Sequence, residues 1–346
     1  MPDSTEAAEE PRSDQNPNPS ASGFLGAVTA EEGNEWSSFR DDEIMKQHSE
    51  IQAVEAVKIP FVGDKEPITA LAAEFQYGSP ILQEKIKLIA EQYLALRRTR
   101  GDGNCFFRSF MFSYLEHILE TQDKAEVERI IAHIEMCKKT LKSQGFTDFT
   151  FEDFFSTFLE QLESVSQGQD ASISHDELLE RSRDQSISDY VVMFFRFVTT
   201  GEIRSRSEFF EPFILGLTNS SNTVDQFCKT SVEPMGEESD HVHITALSDA
   251  LGVAIRVVYL DRSSCEAGPV TINHHDFIPS APSKMSTERD DSTMASTNII
   301  TETATVSNPS EQEDGTTATA ATTEDSRPPF VTLLYRPGHY DILYPK

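Results

Sequence analysis

A cysteine at a loop–helix boundary has the residue type and the setting needed for nucleophilic chemistry. Cys105 lies in the stretch TRGDGNCFFRSF, where two glycines flank Asp102, Asn104 precedes the cysteine, and an apolar helix is predicted from Phe106. Glycine permits the tight loop, and the free N–H groups and positive dipole end at a helix start favour a thiolate. The thiolate is the nucleophilic form of cysteine. The same loop N–H groups are placed to face an oxyanion, so Cys105 is a candidate nucleophile.

A base for such a nucleophile is available near the C-terminus, in LLYRPGHYDILYPK. His339 and Asp341 are two residues apart on a predicted strand, so their side chains project from the same face. The carboxylate of Asp341 would hold one ring nitrogen of His339, which leaves the other nitrogen to take a proton from Cys105. The three residues therefore form a candidate triad in the chain order Cys, His, Asp.

Simpler interpretations exist for each half of this candidate site. A lone cysteine at a loop–helix junction is more often a small buried residue, and a His-x-Asp pair is more often a surface or capping pair; their joint presence favours catalysis. A dinucleotide site is excluded because Phe106 stands where Gly or Ala is required and no suitable strand precedes Gly101. The remaining histidines lack partners at zinc spacing, so we expect no metal and no cofactor.

Charge and composition exclude several classes of protein. The chain has 29 basic and 58 acidic residues, a formal net charge of −29, which argues against nucleic-acid binding and against adsorption to anionic lipid. The longest apolar run, 191–198, is too short to cross a bilayer and is interrupted by Arg196. The N-terminus does not resemble a signal peptide. The four cysteines form no regular framework and are interpreted as reduced thiols of a cytoplasmic protein, with the nucleus not excluded: Cys105, Cys137, Cys228 and Cys265.

The elements that must position these residues are mostly helical. Residues 1–40 are acidic and polar and are predicted to be disordered. Residues 41–346 are predicted to form one domain, interrupted by a polar, low-complexity insertion at 281–328. Helical periodicity and short β-branched runs predict the following elements: helices over 41–58, 80–96, 106–120, 125–143, 151–165 and 186–200, and strands over 253–260, 330–336 and 339–344. Helices first and strands last predict an α+β fold with a small sheet.

Taken together, three blocks of the sequence resemble the otubains, the ovarian-tumour-domain branch of ubiquitin-specific thiol proteases. They are RRTRGDGNCFFRSFMFSYLEHIL, SVEPMGEESDHVHITALSDALGV and TLLYRPGHYDILYPK, and RDQSISDY followed by SEFFEPFI adds a fourth. The loop is similar to that of plant members. The resemblance implies a papain-like cysteine protease plan, with helices packed on a small, mostly antiparallel sheet and the site between the Cys105 helix and the C-terminal strands.

The resemblance also implies cleavage of isopeptide bonds in ubiquitin chains or conjugates. It assigns Cys105 as nucleophile, His339 as general base and later acid, Asp341 as the orienting carboxylate, and Asp102 as the acid beside the nucleophile. The oxyanion loop would comprise Asp102, Gly103, Asn104 and Cys105, with the N–H groups of Asp102 and Cys105 as donors. Expected partners are ubiquitin and polyubiquitin, with ubiquitin-conjugating enzymes as a further candidate and no nucleic acid or membrane; the chain is expected to act as a monomer.

Two departures from the family pattern and two alternatives stay open. Many animal relatives have proline where this chain has Gly101, and the insertion at 281–328 replaces a short link before the catalytic strand. One alternative is a non-catalytic protein that binds ubiquitin-conjugating enzymes, with 41–58 as a candidate arm. The other is an inactive ubiquitin-binding adaptor, against which the presence of Cys105, His339 and Asp341 counts.

Overall fold

The computed structural model describes residues 59–218, 223–262, 270–280 and 329–346 of the chain. The predicted disorder over 1–40, the predicted helix over 41–58 and the predicted insertion at 281–328 therefore lie outside the described residues. Within the described ranges, no helix is both long enough and apolar enough to span a membrane.

Helices and strands alternate at the start of the described chain, a run of helices follows, and strands close it. The elements in order are β1 (Val62–Pro67), α1 (Thr69–Glu74), α2 (Pro80–Gln92), β2 (Tyr93–Thr99), α3 (Cys105–Thr121), α4 (Lys124–Ser143), α5 (Asp148–Val165), α6 (His175–Arg183), α7 (Gln185–Ser205), α8 (Ser207–Thr218), α9 (Val224–Phe227), a π-helical turn (Cys228–Val232), α10 (His241–Leu251), β3 (Ile255–Tyr259), β4 (Asn273–Phe277), β5 (Val331–Arg336) and β6 (His339–Pro345).

The strands form one six-stranded sheet in the order β1-β2-β6-β5-β3-β4. Every neighbouring pair is antiparallel except β3 and β5, which run parallel. The prediction of an α+β fold with helices on a small, mostly antiparallel sheet is confirmed. The strand β6, which carries His339 and Asp341, lies between β2 and β5, so hydrogen bonds on both edges hold the candidate base in place.

The helix α3 is buried on nearly all sides and lies against the sheet on one face and against helices on the other. Phe106 contacts Tyr340 of β6 edge-to-face, with ring centroids 5.5 Å apart. On the opposite side Phe110 meets Phe195 of α7 at 5.1 Å, and Phe158 of α5 meets the same ring at 5.2 Å. Aromatic packing of this kind is directional and rigid, so the start of α3 is held at a fixed distance from β6.

Several elements differ from the sequence-based expectation. The helix predicted over 80–96 ends at Gln92, and the chain continues directly into β2. The apolar spacing extends past Gln92, but β2 pairs with β1 and β6 on its two edges, and this pairing outweighs local periodicity. The strands β1, β2 and β4 were not predicted; β4 is an edge strand with three exposed residues, so it lacks an apolar pattern.

Candidate active site

The nucleophile loop places Cys105 at the first position of α3. The cysteine is buried, 5% exposed, and the N–H groups of the first helical turn, starting with its own, have no acceptor within the helix. Gly103 has φ +74°, a conformation that favours glycine. The arrangement predicted for a thiolate nucleophile, a glycine turn that delivers a cysteine to a helix N-terminus, is present.

His339 and Asp341 lie on β6 with their side chains in direct contact. The Nε2 atom of His339 lies 2.9 Å from Oδ1 of Asp341. The other ring nitrogen, Nδ1, faces the nucleophile loop, since a Cβ atom on Gly101 would lie 3.5 Å from it. The strand geometry expected for the His-x-Asp pair is therefore found, and Nδ1 is the nitrogen available to Cys105.

The electrostatic environment of His339 favours the imidazolium. Burial alone would lower its pKa, but hydrogen bonds to the Asp341 carboxylate and to the Cys105 thiol outweigh burial and raise the pKa to about 9. At neutral pH the ring is therefore protonated. Beside a cysteine, such a ring stabilises the thiolate and holds a proton that a leaving group can take.

Asp341 is fully buried and remains charged because several donors surround it. Oδ1 accepts the N–H of Thr99 at 3.0 Å in addition to His339, and Oδ2 accepts Nη2 of Arg336 at 2.6 Å. Burial would raise the pKa of Asp341, but the hydrogen bond from His339 and the charge of Arg336 lower it. The carboxylate therefore orients the imidazole as an anion, as in a nucleophile–base–carboxylate triad.

A carboxylate outside both sequence motifs supports this arrangement. Glu74, the last residue of α1, accepts Nη1 of Arg336 at 3.0 Å and pairs with Nη2 of Arg98 at 2.7 Å. The guanidinium of Arg98 in turn lies 3.7 Å from Oδ2 of Asp341. Glu74 thus joins the two cations that flank the buried carboxylate.

Asp102 lies beside the nucleophile, but its carboxylate does not point to His339. Both of its oxygens bind Nη1 of Arg108, and Oδ1 also accepts the N–H of Asn104 at 3.1 Å. The N–H of Asp102 itself donates to the carbonyl of Arg100 at 3.1 Å. The carboxylate therefore shapes the loop, and the assignment of the Asp102 N–H as an oxyanion donor stays a prediction that requires this turn bond to open or be shared.

Two buried arginines contact the loop, and neither was identified as functional from the sequence. Arg108, 1% exposed, binds Asp102 and also donates to Ser188 and Asp189 at the start of α7. Arg196, fully buried, reaches the carbonyl of Gly103 and the side chain of Asn104. The signal was available for Arg196: a charged residue within an apolar, buried helix must have polar partners.

Among the concave surfaces of the described residues, one is largely aromatic and another borders His339. One is a cavity of about 430 Å³ with a largely aromatic lining, between α8, α10 and β4; Phe213 in its wall is 54% exposed. Its lining includes His241, two residues after Ser239, whose carbonyl accepts the hydroxyl of Tyr340 at 3.2 Å. The other, about 630 Å³, is polar and is lined in part by Glu74, Gly101 and His339. The polar cavity is therefore the one that borders the candidate base.

Comparisons with known proteins identify the family of the chain. The family described as Peptidase C65 Otubain matches residues 54–345. The chain is 60% identical over 320 residues to the OVARIAN TUMOR DOMAIN-containing deubiquitinating enzyme 1 of Arabidopsis thaliana, covering 92% of this chain and 91% of the relative. It is 38% identical over 304 residues to the ubiquitin thioesterase OTUB1 of Homo sapiens, covering 88% and 90%.

Solved structures resemble the fold over nearly its whole length. One is described as h/ceOTUB1-ubiquitin aldehyde-UBCH5B~Ub, with a TM-score of 0.66, 30% identity, and coverage of 89% of this chain and 98% of that one. A second, h/ceOTUB1-ubiquitin aldehyde-UBC13~Ub, has a TM-score of 0.65 and 32% identity over 88% and 98% of the two chains.

Proposed function

Because this chain belongs to the otubain family of deubiquitinating cysteine peptidases, we propose that it hydrolyses isopeptide bonds of ubiquitin chains or conjugates through Cys105, His339 and Asp341. The observation that carries the residue assignment is the hydrogen bond between His339 and Asp341 at 2.9 Å, with the other ring nitrogen facing the loop of Cys105. The approach of His339 to the Cys105 loop joins two motifs that are more than 200 residues apart in the sequence.

The first half of the reaction forms a thioester. The Cys105 thiolate attacks the carbonyl carbon of the C-terminal glycine of ubiquitin, and the resulting oxyanion faces the N–H groups at the start of α3. The C–N bond then breaks, and the lysine amine leaves with the proton from Nδ1 of His339. The products of this step are the free amine, a ubiquitin thioester on Cys105 and a neutral imidazole.

The second half regenerates the enzyme. The neutral imidazole takes a proton from water, and the hydroxide formed attacks the thioester carbonyl. The C–S bond breaks, ubiquitin leaves with a free carboxyl group, and the Cys105 thiolate again faces a protonated His339. Asp341 holds the ring in one orientation throughout and stays ionised, as the lowered pKa of this carboxyl requires.

The largely aromatic cavity between α8, α10 and β4 is proposed to bind ubiquitin. Its lining includes His241, two residues after Ser239, whose carbonyl accepts the hydroxyl of Tyr340 next to His339. Its rim exposes Phe209, Phe213 and Leu217 of α8. Structural relatives were solved with ubiquitin aldehyde, which supports a ubiquitin surface as the occupant. Phe213→Ser is expected to raise KM for ubiquitin substrates about tenfold with little change in kcat.

Phe149 provides the matched control for this variant. It is 99% exposed at the start of α5, away from the cavity, so Phe149→Ser is expected to leave KM unchanged. Equal KM values for Phe213→Ser and the unaltered protein would contradict the assignment of the cavity.

The proposed activity is tested with a fluorogenic ubiquitin substrate and a panel of differently linked diubiquitins. The unaltered protein is expected to cleave, and Cys105→Ala is expected to lose cleavage. Cys228→Ser is the matched control because it replaces a buried thiol away from the site. Cleavage by Cys105→Ala, or none by the unaltered protein, contradicts the proposal, and the diubiquitin panel gives the preferred linkage.

A second candidate function is supported by the same structural relatives, whose descriptions include the ubiquitin-conjugating enzymes UBCH5B and UBC13. In this proposal the protein also binds ubiquitin-conjugating enzymes that carry ubiquitin, and it blocks the synthesis of ubiquitin chains without cleaving them. Cys105→Ala separates the two functions: continued suppression of chain assembly by this variant supports the binding role, and loss of suppression together with cleavage rejects it.

The cytoplasm is the proposed location because the four cysteines form no regular disulfide framework, which is typical of a reducing compartment. A fluorescent fusion of the full chain tests this location and reports whether the nucleus is included. Exclusive localisation to an oxidising compartment contradicts it.

The one-domain organisation over 41–346 and the insertion at 281–328 are likewise proposals, and deletion of 281–328 with retained cleavage would support them.

A further inference from the structure

Arg196 is a fully buried cation within an apolar stretch of helix. It lies in α7 within the apolar run 191–198, and its side chain has no exposed surface. Its guanidinium stacks 4.9 Å from the ring of Phe107 in α3. Burying a guanidinium costs several kcal/mol unless its hydrogen bonds are satisfied, so the partners of Arg196 indicate what it does.

The partners of Arg196 are neutral oxygens from two loops that meet at the nucleophile. Nη1 donates to the carbonyl of Val232 at 2.8 Å. Nη2 lies 2.7 Å from Oδ1 of Asn104, 2.8 Å from the carbonyl of Glu237 and 3.2 Å from the carbonyl of Gly103. None of these four oxygens carries a formal charge, so its hydrogen bonds leave the guanidinium charge uncancelled.

These bonds fix one peptide group of the nucleophile loop at both ends. The carbonyl of the Gly103–Asn104 peptide accepts from Arg196, and its N–H donates to Asp102. Oδ1 of Asn104 accepts the N–H of Gly236 at 3.0 Å as well, which ties the loop to the segment after the π-helical turn. A flip of this peptide would break both hydrogen bonds, so Arg196 and Asp102 oppose it.

We propose that Arg196 is a positioning residue for the nucleophile: it holds the Gly103–Asn104 peptide so that the N–H groups at the start of α3 face the oxyanion, and its uncancelled charge stabilises the Cys105 thiolate. The inference rests on the proposed function, because it assumes that Cys105 is the attacking group. It adds a residue that lies outside all the motifs that suggested that function and that contacts no reacting atom.

The charges around Arg196 agree with this role. Burial lowers its pKa to about 10, so the guanidinium stays protonated at neutral pH. The charge of Glu237 acts in the opposite direction and favours the cationic form, the charge of Arg108 disfavours it, and the charges of Asp102 and Cys105 favour it. Opposite charges attract each other, so a cation near a thiolate favours the thiolate.

Arg196→Met tests the proposal because it removes the charge and all four hydrogen bonds and keeps an apolar stem. Two measurements are made on the full chain: the pH dependence of Cys105 alkylation by iodoacetamide, followed by peptide mass mapping, and kcat and KM for a fluorogenic ubiquitin substrate. We expect the alkylation midpoint to move up by about one pH unit, and kcat to fall about a hundredfold with a much smaller change in KM.

Arg97→Met is the matched control for the loss of a buried guanidinium. Arg97 is 7% exposed and binds Tyr344, Gly63 and Glu116. The Arg97→Met variant is expected to have a lower Tm and an unchanged midpoint of Cys105 alkylation. A purely structural role of Arg196 predicts the same result for both variants: lower Tm with the alkylation midpoint and kcat unchanged. That result overturns the proposal.

Two further variants keep the test decisive if Arg196→Met does not fold. Asn104→Ala keeps the cation and removes the oxygen that joins it to Gly236, and is expected to lower kcat; a kcat equal to that of the unaltered protein overturns the proposal. Arg196→Lys restores a charge without the planar set of donors, and is expected to restore the alkylation midpoint more fully than kcat. Failure of the proposed function is distinguishable, since it appears as cleavage by Cys105→Ala or as no cleavage by the unaltered chain.

Discussion

Gly103 crosses the backbone of Gly236 so closely that a Cβ atom on Gly103 would lie 1.7 Å from the carbonyl oxygen of Gly236. Both glycines have positive φ, +74° and +87°. The crossing lies two residues before the proposed nucleophile and is held by the hydrogen bond from the Gly236 N–H to Asn104. The shape of the loop around Cys105 is therefore set by a contact with a segment more than 130 residues later in the chain.

Gly103→Ala is predicted to cost both stability and activity because the methyl group cannot be accommodated without moving backbone. Gly145→Ala is the matched control: Gly145 also has positive φ, +91°, but a Cβ there meets nothing within 4 Å. The control is expected to lose about 1 kcal/mol of unfolding free energy from backbone strain alone, and Gly103→Ala clearly more. Urea unfolding and cleavage of a fluorogenic ubiquitin substrate measure the two effects; equal losses of stability in the two variants would contradict the crossing.

The protonated state of His339 predicts an alkaline limb of the pH profile, which is a fall of kcat/KM at high pH. With a pKa of about 9, the ring holds the proton needed by the leaving amine at neutral pH and loses it above pH 9, so kcat/KM is expected to fall there. The folded chain binds this proton more tightly than the unfolded chain, whose histidine has a pKa near 6.5. The stabilisation is therefore fully present below pH 6.5 and is lost as the pH rises to about 9.

Asp341→Asn tests the cause of this raised pKa. Removing the carboxylate removes the hydrogen bond and the charge that raise the His339 pKa, so the alkaline limb is expected to move to lower pH while kcat falls about a hundredfold or more. Asp276→Asn is the matched control, because Asp276 also binds an arginine, Arg256, but lies on β4. A limb that stays at the same pH in Asp341→Asn contradicts the assignment.

The parts of the site that the sequence revealed are those whose residues are close together in the chain. Cys105 follows its glycine loop directly, and His339 and Asp341 are two apart, so turn and strand geometry sufficed to predict their placement. Their contact across the fold was predicted from chemistry, and the long helices were predicted because their apolar spacing is strong. Short strands such as β1 and β4 were missed because pairing with distant partners, and not local pattern, determines them.

Residues that act through distant partners were not predictable in this way. Glu74 joins two arginines from β2 and β5, and Arg196 bridges loops far from it in sequence. Asp102 differs, because its partner is close in sequence. The resemblance placed Asp102 beside the nucleophile, and in the structure its carboxylate forms an ion pair with Arg108, six residues later in the chain. Ion pairs between separate elements depend on tertiary packing, so the sequence can mark a charged residue such as Arg196 as unusual but does not show which partners it contacts.

The ion-pair network behind Asp341 leads to a prediction for Arg336. Arg336→Gln removes the guanidinium that donates to the buried carboxylate at 2.6 Å and leaves the His339 imidazolium at 2.9 Å and Arg98 at 3.7 Å as the remaining cations beside it. A buried carboxylate that loses its partner destabilises the fold, and we expect a loss of about 1–3 kcal/mol, measured by urea unfolding. This loss of unfolding free energy is expected to increase as the pH rises from acid values, because only the ionised carboxylate of Asp341 needs the cation.

Glu74→Gln tests whether the network reaches the active site. It removes the anion that neutralises Arg98 and Arg336, so those cations act more strongly on the site, and the alkaline limb of kcat/KM is expected to move to lower pH. Glu84→Gln is the control, since Glu84 forms an exposed pair with Lys87. An unchanged limb in Glu74→Gln would restrict Glu74 to a structural role.

The buried thiols predict selective labelling of the proposed nucleophile. Burial raises the pKa of Cys137 and of Cys228 to about 12, so neither forms appreciable thiolate at neutral pH. In a Cys265→Ser protein, which removes the one cysteine outside the described residues, iodoacetamide at pH 7 is expected to label Cys105 at least tenfold faster than the other two. Peptide mass mapping measures the rates, and unfolding in urea is expected to abolish the difference, because desolvation then no longer protects Cys137 and Cys228. Comparable labelling of Cys137 or Cys228 in the folded protein would contradict a reactivity set by position at the helix start.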